Sequence, residues 1–294
     1  MLRKEDPDEH TGQNTDIGGE KNVEDDDNVD DNQTVISHVQ LARTIRKSIL
    51  SLCHVCQYDE TENLTGTCIL EGRYSAIDLA QKINQPALPE LIRRFLYDQK
   101  YPDCQITSAG VSLDTCPRLP QAVMISVFSS AAVTYYAPSD SDGLHGLRRE
   151  HIRATPSWRR GPARYDCVFV NSQPDLEGMR GLDVVRIFLF FSFTYEGVTY
   201  PCAFVHWYTL LDEEPDEDTG MWKVTPEKEI DGSPIFSVIH LDSIFRAAHL
   251  LPIYAVSDNS IPYSLSLHET LDTFSAFYVN KFIDHHTFHF STRQ

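Results

Sequence analysis

Between residues 75 and 100 the apolar positions recur at helical spacing, and beyond residue 120 they give way to β-rich runs. Ile77, Leu79, Ala80 and Ile83 share one side of a helix that Ser75 can cap and Pro86 ends. Leu91, Ile92, Phe95 and Leu96 form the stripe of a second helix, Pro89 to Lys100, whose proline falls in the first turn, where no N–H is needed. A further helix is predicted from Val35 to about Ile49, on the spacing of Val35, Val39, Ala42, Ile45 and Ile49. Its basic residues Arg43, Arg46 and Lys47 crowd the C-terminal half, which favours cations. A polar break follows, from Gln57 to Gly72.

Val123 to Tyr136 reads as β, although Ser129-Ser130-Ala131-Ala132 in its middle leaves a helix open. Tyr165 to Val170 is a strand. Asp183 to Thr194 and Val198 to Tyr208 flank Glu196-Gly197, a hairpin turn. Met221 to Val224 and Ile235 to Leu241 are shorter strands, Asp242 to Arg246 a single helical turn, and Ala247 to Tyr254 a last strand. Leu271 to Phe290 alternates aromatic and polar residues and fits a strand or a docking helix. The expected fold class is α+β: a small N-terminal helical subdomain (35–118), then a mostly antiparallel domain (119–294), barrel-like or sandwich-like.

Composition adds an acidic arm. The 294-residue chain is 41% hydrophobic, enough for a sizeable core, yet its net charge is −18. Half of that charge sits in residues 1–34, where 12 acidic and 3 basic residues give −9. Such a segment cannot bury enough apolar surface to offset its ordering entropy, so disorder is expected there. It has neither the apolar core of a signal peptide nor the arginine-rich pattern of a transit peptide. No run approaches the ~18 consecutive apolar residues of a membrane span. Seven cysteines without a leader fit a reducing compartment. A soluble, intracellular protein with no membrane partner is expected.

Against this acidity, arginine is concentrated in one place. Arg148, Arg149, Arg153, Arg159, Arg160 and Arg164 fall in an arginine-rich loop, 143–165, with His145, His151 and Trp158 among them. This is a candidate phosphate-contacting surface on which Trp158 can stack a base, with Thr155-Pro156 and Gly161-Pro162 keeping the segment extended. The competing reading is internal pairing with the N-terminal acids or with the acidic loop 212–218, six of whose seven residues are acidic. That loop would then be the exposed handle of a protein-interaction module. So acidic a chain is no general polyanion binder.

Other chemistry is thin. Cys53-His54-Val55-Cys56 is half of a zinc site, with Cys68 as an isolated third thiol. His285, His286 and His289 cluster beside Asp284, as a ligand pair or as an aromatic-histidine tail. Neither set is assigned a metal. The helix pair around Pro86 has helix-turn-helix spacing, but Arg93, Arg94 and Lys100 make no full basic face, and two packed helices are the simpler reading. Cys167 and Cys202 lie in apolar strands as buried thiols, and His206 reads as a core histidine. No GxSxG, Walker, HExxH or GxGxxG motif is present. The expectation is a non-enzymatic protein without cofactor or identified small-molecule substrate, with an unrecognised metal-dependent enzyme as the remote alternative.

Longer runs carry a resemblance. YAPSDSDGLHGLRREHIRATPSWRRGPARYDCVFV, RIFLFFSFTYEGVTYPCAFVHWY, DTGMWKV, SVIHLDSIFRAAHLLPIY and LDTFSAFYVNKFIDHH, with LARTIRK and PALPELIRRFLYDQKYPDC upstream, span about Val35 to His286. Together they resemble the C-terminal region of fungal (basidiomycete) Plavaka/KDZ-type, CACTA-related DNA transposon proteins. The resemblance implies a transposase-like region lacking the catalytic carboxylates of the RNase H-like core, which would lie upstream. It implies nuclear DNA or chromatin partners and assigns no chemistry to individual residues. By fold-level analogy, the strand order is similar to small barrels such as bromo-adjacent homology domains.

Overall fold

The computed structural model describes residues 37–42 (backbone only), 72–102, 104, 106–137, 146–254 and 265–292. By internal contacts the chain divides into Met1–Thr34 and Val35–Gln294. The expected disordered arm, 1–34, lies outside the described residues.

The helix expected from Val35 is instead a strand, β1 (Ser37–Ala42), paired antiparallel with a later strand. Residues 43–49 of that expectation lie outside the described residues. The short sequence SHVQLA fits either period, and a partner strand with open hydrogen-bonding groups decides between them. After β2 (Arg73–Tyr74), α1 (Ala76–Lys82) begins at Ser75, whose hydroxyl accepts from the Asp78 N–H at 3.2 Å. α2 (Leu88–Lys100) follows with proline in its first turn. Leu79, Leu88, Ile92 and Phe95 pack with Ile125, Phe191, Phe193 and Phe204, so the helices share one hydrophobic cluster with the sheet. Arg93 donates to the carbonyls of Leu113, Cys116 and Pro117, and Arg94 to that of Ser108. These guanidinium groups fasten the 108–117 segment and do not form a DNA-facing surface.

The β-rich remainder comprises β3 (Ile125–Phe128), β4 (Ser130–Tyr136), β5 (Leu147–Thr155), β6 (Arg164–Tyr165), β7 (Cys167–Asn171), β8 (Leu182–Tyr195) and β9 (Val198–Leu210). β10 (Lys223–Pro226), β11 (Phe236–His240), β12 (Ile244–Ala248) and β13 (Leu250–Pro252) follow. The end combines α3 (Thr270–Thr273), β14 (Phe277–Val279) and α4 (His285–Thr292), so the Leu271–Phe290 region supplies both a strand and a helix. Every strand pairing among the described residues is antiparallel. The β8–β9 hairpin turns at Glu196-Gly197, both at positive φ (49° and 82°), as expected from their sequence.

One sheet runs β1-β4-β5-β6; the other runs β12-β7-β8-β9-β10-β14-β13, with β11 on β9 and β2-β3 on β8. The larger sheet ends in separate edges and does not close, which corrects the barrel expectation. Ala131, Val133, Ile152 and Ala154 of the smaller sheet pack with Val168, Val185, Ile187 and Val205 of the larger. Alternation drives this contact, since one face of β5 must leave water while the other stays out.

Two buried arginines fasten that core to the chain's end. Arg246, 1% exposed, makes a bidentate pair with Asp284 at 3.0 and 2.6 Å, lies 3.1 Å from His286 Nδ1 and covers the Tyr135 ring at 4.5 Å. Arg186 makes a second bidentate pair, with Asp272. Burial alone would raise the Asp284 carboxyl. The Arg246 hydrogen bond, the Thr287 N–H and the Arg246 charge outweigh it and hold the group at about 2.

Candidate nucleic-acid interface

Of the segment 143–165, expected as an extended loop, residues 147–165 are a β-hairpin, while 143–145 lie outside the described residues: β5 runs up to Thr155, a tight tip spans 156–163, and β6 returns. The prolines do not keep it straight. Pro162 places its carbonyl 3.0 Å from the Trp158 N–H, and Gly161 N–H donates to the Trp158 carbonyl at 2.8 Å. Between them Arg159 and Arg160 both adopt positive φ, 51° and 61°, as in a type I′ turn. Asn-Gly or Gly-Gly would sit there at little cost, whereas each arginine in the left-handed region costs roughly 1–2 kcal/mol. The tip thus sacrifices stability to place two exposed arginines in its turn, a pattern common at functional sites.

Strand alternation then sorts the arginines. Arg149, His151 and Arg153 fall on the outer side of β5, while Ile152 and Ala154 on the inner side are buried. Glu150, also on the inner side, accepts the Ala247 N–H at 2.6 Å and lies 3.6 Å from Arg246. Burial raises its carboxyl above the ordinary value, the Arg246 charge opposing. Arg148 shares that inner side, half-buried opposite Tyr135, and is set apart from the outer cluster. Arg149 and Arg153 stand four residues apart, roughly 13 Å along a strand.

Around the hairpin tip three guanidinium groups converge on one ring. Arg153, Arg159 and Arg164 lie 4.1, 5.5 and 5.7 Å from the centroid of the Trp158 indole. The indole is thus a platform for cations, with Arg153 against the ring, and base stacking has less of it available than the sequence suggested. One carboxylate serves this group. Asp166 Oδ1 accepts from Arg164 Nε at 2.8 Å, and its Oδ2 accepts the Arg153 backbone N–H at 2.9 Å. Burial, then the Arg164 charge, pull the Arg153 guanidinium below its ordinary value, with Asp166 opposing and Arg159 adding to the fall. Three cations on the ring meet one anion among the described residues, an excess of two positive charges on that group.

His151, between Arg149 and Arg153 on the outer side, is held below its ordinary value by burial and then by those two charges. Among Arg149, Arg153, Arg159 and Arg164, only Arg164 meets a carboxylate among the described residues. Two carboxylates of the acidic loop 212–218 have their own partner: Lys223 reaches Asp212 at 2.8 Å and Asp216 at 3.5 Å, while Glu213, Glu214, Glu217 and Asp218 are exposed. Asp216 also accepts from the backbone and hydroxyl of Thr219.

The remaining candidates fall elsewhere. Cys53, Cys56, Cys68 and His145 lie outside the described residues. His286 is buried, stacked on Tyr135 with ring centroids 5.1 Å apart, while His285 and His289 share its short helix; no cluster of three metal-ligating side chains occurs among the described residues. Cys167 is buried and its thiol pushed up to about 12 by that burial; Cys202 is raised by the same cause. His206 Nε2 lies 2.7 Å from the Glu227 carbonyl, inside the core. Sequence reasoning passed over Arg186 and Arg246 as sites of structure. Their signal was a cation inside an apolar run, VVRIFLF and SIFRAA, which calls for a buried partner. No helix of the described residues is long and apolar enough to cross a membrane. Comparison with protein families, with curated proteins and with solved structures finds no match.

Proposed function

We propose that the outer side of β5 and the hairpin tip form a phosphate-contacting surface by which this protein binds DNA or DNA-packaged chromatin. In this reading the protein is non-enzymatic, nuclear and derived from a DNA transposon, in keeping with the sequence resemblance. The observation that carries the proposal is the under-neutralised cluster on Trp158: Arg153, Arg159 and Arg164 against Asp166 alone among the described residues. Like charges gathered on a half-exposed ring repel one another, and an external anion relieves that repulsion. Phosphate oxygens suit the planar guanidinium, which offers paired donors.

Contact is then to the backbone of the nucleic acid more than to its bases, because Arg153 lies on the indole. A modest footprint suits a chain of net charge −18, which repels polyanions everywhere else. The protein-interaction reading requires the arginines to be consumed internally. Arg149, Arg153 and Arg159 meet no carboxylate among the described residues, so we place it second, although four acidic residues of the 212–218 loop stay exposed.

Fluorescence anisotropy with labelled duplex and single-stranded DNA tests the proposal. Binding should weaken linearly in log–log salt plots, and Arg159→Ala/Arg160→Ala should flatten that slope by about 2. Binding indifferent to salt and to this double substitution removes it.

A further inference from the structure

Within the surface proposed above, the hairpin tip stands off the body of the protein. The β5–β6 ladder is only two pairs long, Ala154 with Tyr165 and Thr155 with Arg164. Ala154 and Thr155 are still buried, at 2% and 3% exposure, whereas Ser157 and residues 159–164 are exposed. Four hydrogen bonds inside this short projection fix its shape before any partner arrives. Trp158 N–H donates to the Pro162 carbonyl at 3.0 Å and Gly161 N–H to the Trp158 carbonyl at 2.8 Å. The Ser157 hydroxyl donates to the Gly161 carbonyl at 3.0 Å, and the Thr155 hydroxyl to the Ser157 carbonyl at 2.9 Å. Arg159 and Arg160 hold the two central positions of the turn, at φ 51° and 61°. An apex ordered in advance loses little freedom on binding.

Dimensions decide which part of a duplex such a tip can meet. The strands of a hairpin lie about 5 Å apart. With side chains on both flanks, the ribbon is wider than the minor groove, about 6 Å, and fits the major groove, about 12 Å wide and about 8.5 Å deep. From Thr155 to Arg159 the chain climbs four residues, up to about 13 Å, so that depth is within reach. Charge favours the same entry. A chain of net charge −18 is repelled by phosphate over most of its surface, and a narrow projecting cation lets the acidic body stay back. A stand-off near the Debye length, about 8 Å at physiological salt, screens much of that repulsion.

The arginines then divide by position. Arg153, Arg159 and Arg164 gather at the Trp158 indole, a cluster suited to phosphate. Arg160 is the second apex residue, one step beyond Arg159, and is exposed. We infer that the tip enters the major groove of duplex DNA and that Arg160 selects guanine there, its paired N–H donors meeting O6 and N7, while the indole cluster holds the flanking phosphates. The inference rests on DNA binding by this hairpin and goes beyond it by naming the base and the residue that selects it.

Fluorescence anisotropy of the full-length protein on four duplexes of equal length and charge is the test: G·C-rich, A·T-rich, the G·C duplex with inosine for guanine, and the G·C duplex with 7-deazaguanine. Inosine keeps O6 and N7 in the major groove and removes only the minor-groove amino group, whereas 7-deazaguanine lacks N7. The G·C and inosine duplexes should bind alike, about tenfold tighter than A·T, and 7-deazaguanine should remove most of that advantage. Arg160→Gln should bind all four alike, while Arg159→Gln should weaken all four equally with the preference intact. Equal affinity of the unsubstituted protein for the guanine and 7-deazaguanine duplexes overturns the inference and leaves DNA binding standing. So does an inosine duplex that behaves as A·T, which reports minor-groove contact, or a guanine preference that survives in Arg160→Gln. Absence of binding to every duplex removes the DNA reading and this inference together.

Discussion

The Arg153 guanidinium lies 4.1 Å from the centroid of the Trp158 indole, and two further arginines gather at the same ring. The ring's quadrupole offsets part of the repulsion among them and fixes their spacing. Trp158→Ala should therefore weaken DNA binding roughly tenfold by releasing the cations, with the salt slope nearly unchanged because no charge is removed. Trp158→Phe, which keeps a ring, should recover much of the loss. Anisotropy at several salt concentrations separates the two effects. Equal loss in both variants would point to direct stacking of a base on the indole.

Arg159 and Arg160 hold positive φ at the hairpin tip. Replacing the pair by Asn-Gly, which tolerates that backbone, should raise stability by about 1 kcal/mol and the melting temperature by about 2–4 °C. The same variant should bind DNA more weakly. Opposite changes in stability and binding, read by calorimetry and anisotropy on one sample, distinguish a functional turn from an ordinary one.

His151 supplies a pH dependence. Burial and the charges of Arg153 and Arg149 hold its free-state value below the ordinary 6.5. Phosphate neutralises those charges, so binding raises the His151 value, and protonation must tighten binding in return. Affinity should increase roughly three- to tenfold from pH 7.5 to pH 5, where phosphodiesters remain fully charged. His151→Gln should flatten the profile. A profile of unchanged slope in that variant would assign the effect elsewhere.

The Arg246–Asp284 pair governs acid stability. Asp284 is depressed to about 2 from the ordinary 3.8, so its contribution is complete above about 4 and is lost as pH falls toward 2. With Asp284 partly exposed, that contribution is at most about 2 kcal/mol. Arg246→Met removes the buried cation and strands Asp284, Glu150 and the inner face of β5, and should cost about 3–5 kcal/mol at neutral pH. Denaturant unfolding from pH 7 to pH 3 should show the gap between wild type and Asp284→Asn narrowing as pH falls. A gap constant across that range would contradict the depressed carboxyl.

Much of the local structure is written in short-range chemistry. Ser75 with an apolar stripe starts α1, a proline opens α2, and Glu196-Gly197 turns the β8–β9 hairpin. In each, the residues act on a backbone within a few positions of themselves. The segment around Arg149 was harder to read, because LRREHIRAT has only two buried apolar members and its charges mask the alternation. β1 was harder still, since its strand state depends on pairing with β4, nearly a hundred residues away.

What the sequence by itself determined is the inventory: an acidic chain with six arginines in one short stretch, two early helices and a β-rich remainder. The tertiary structure decided which of those arginines act together. Folding β5 back on β6 sets Arg153, Arg159 and Arg164 on Trp158, and the strand's two-residue period turns Arg148 inward beside Glu150. It also decided where the acids go: Asp284 and Asp272 come from the far end of the chain to the buried Arg246 and Arg186. Charge is a property of composition, but neutralisation depends on distance, and distances between remote residues exist only once the chain has folded.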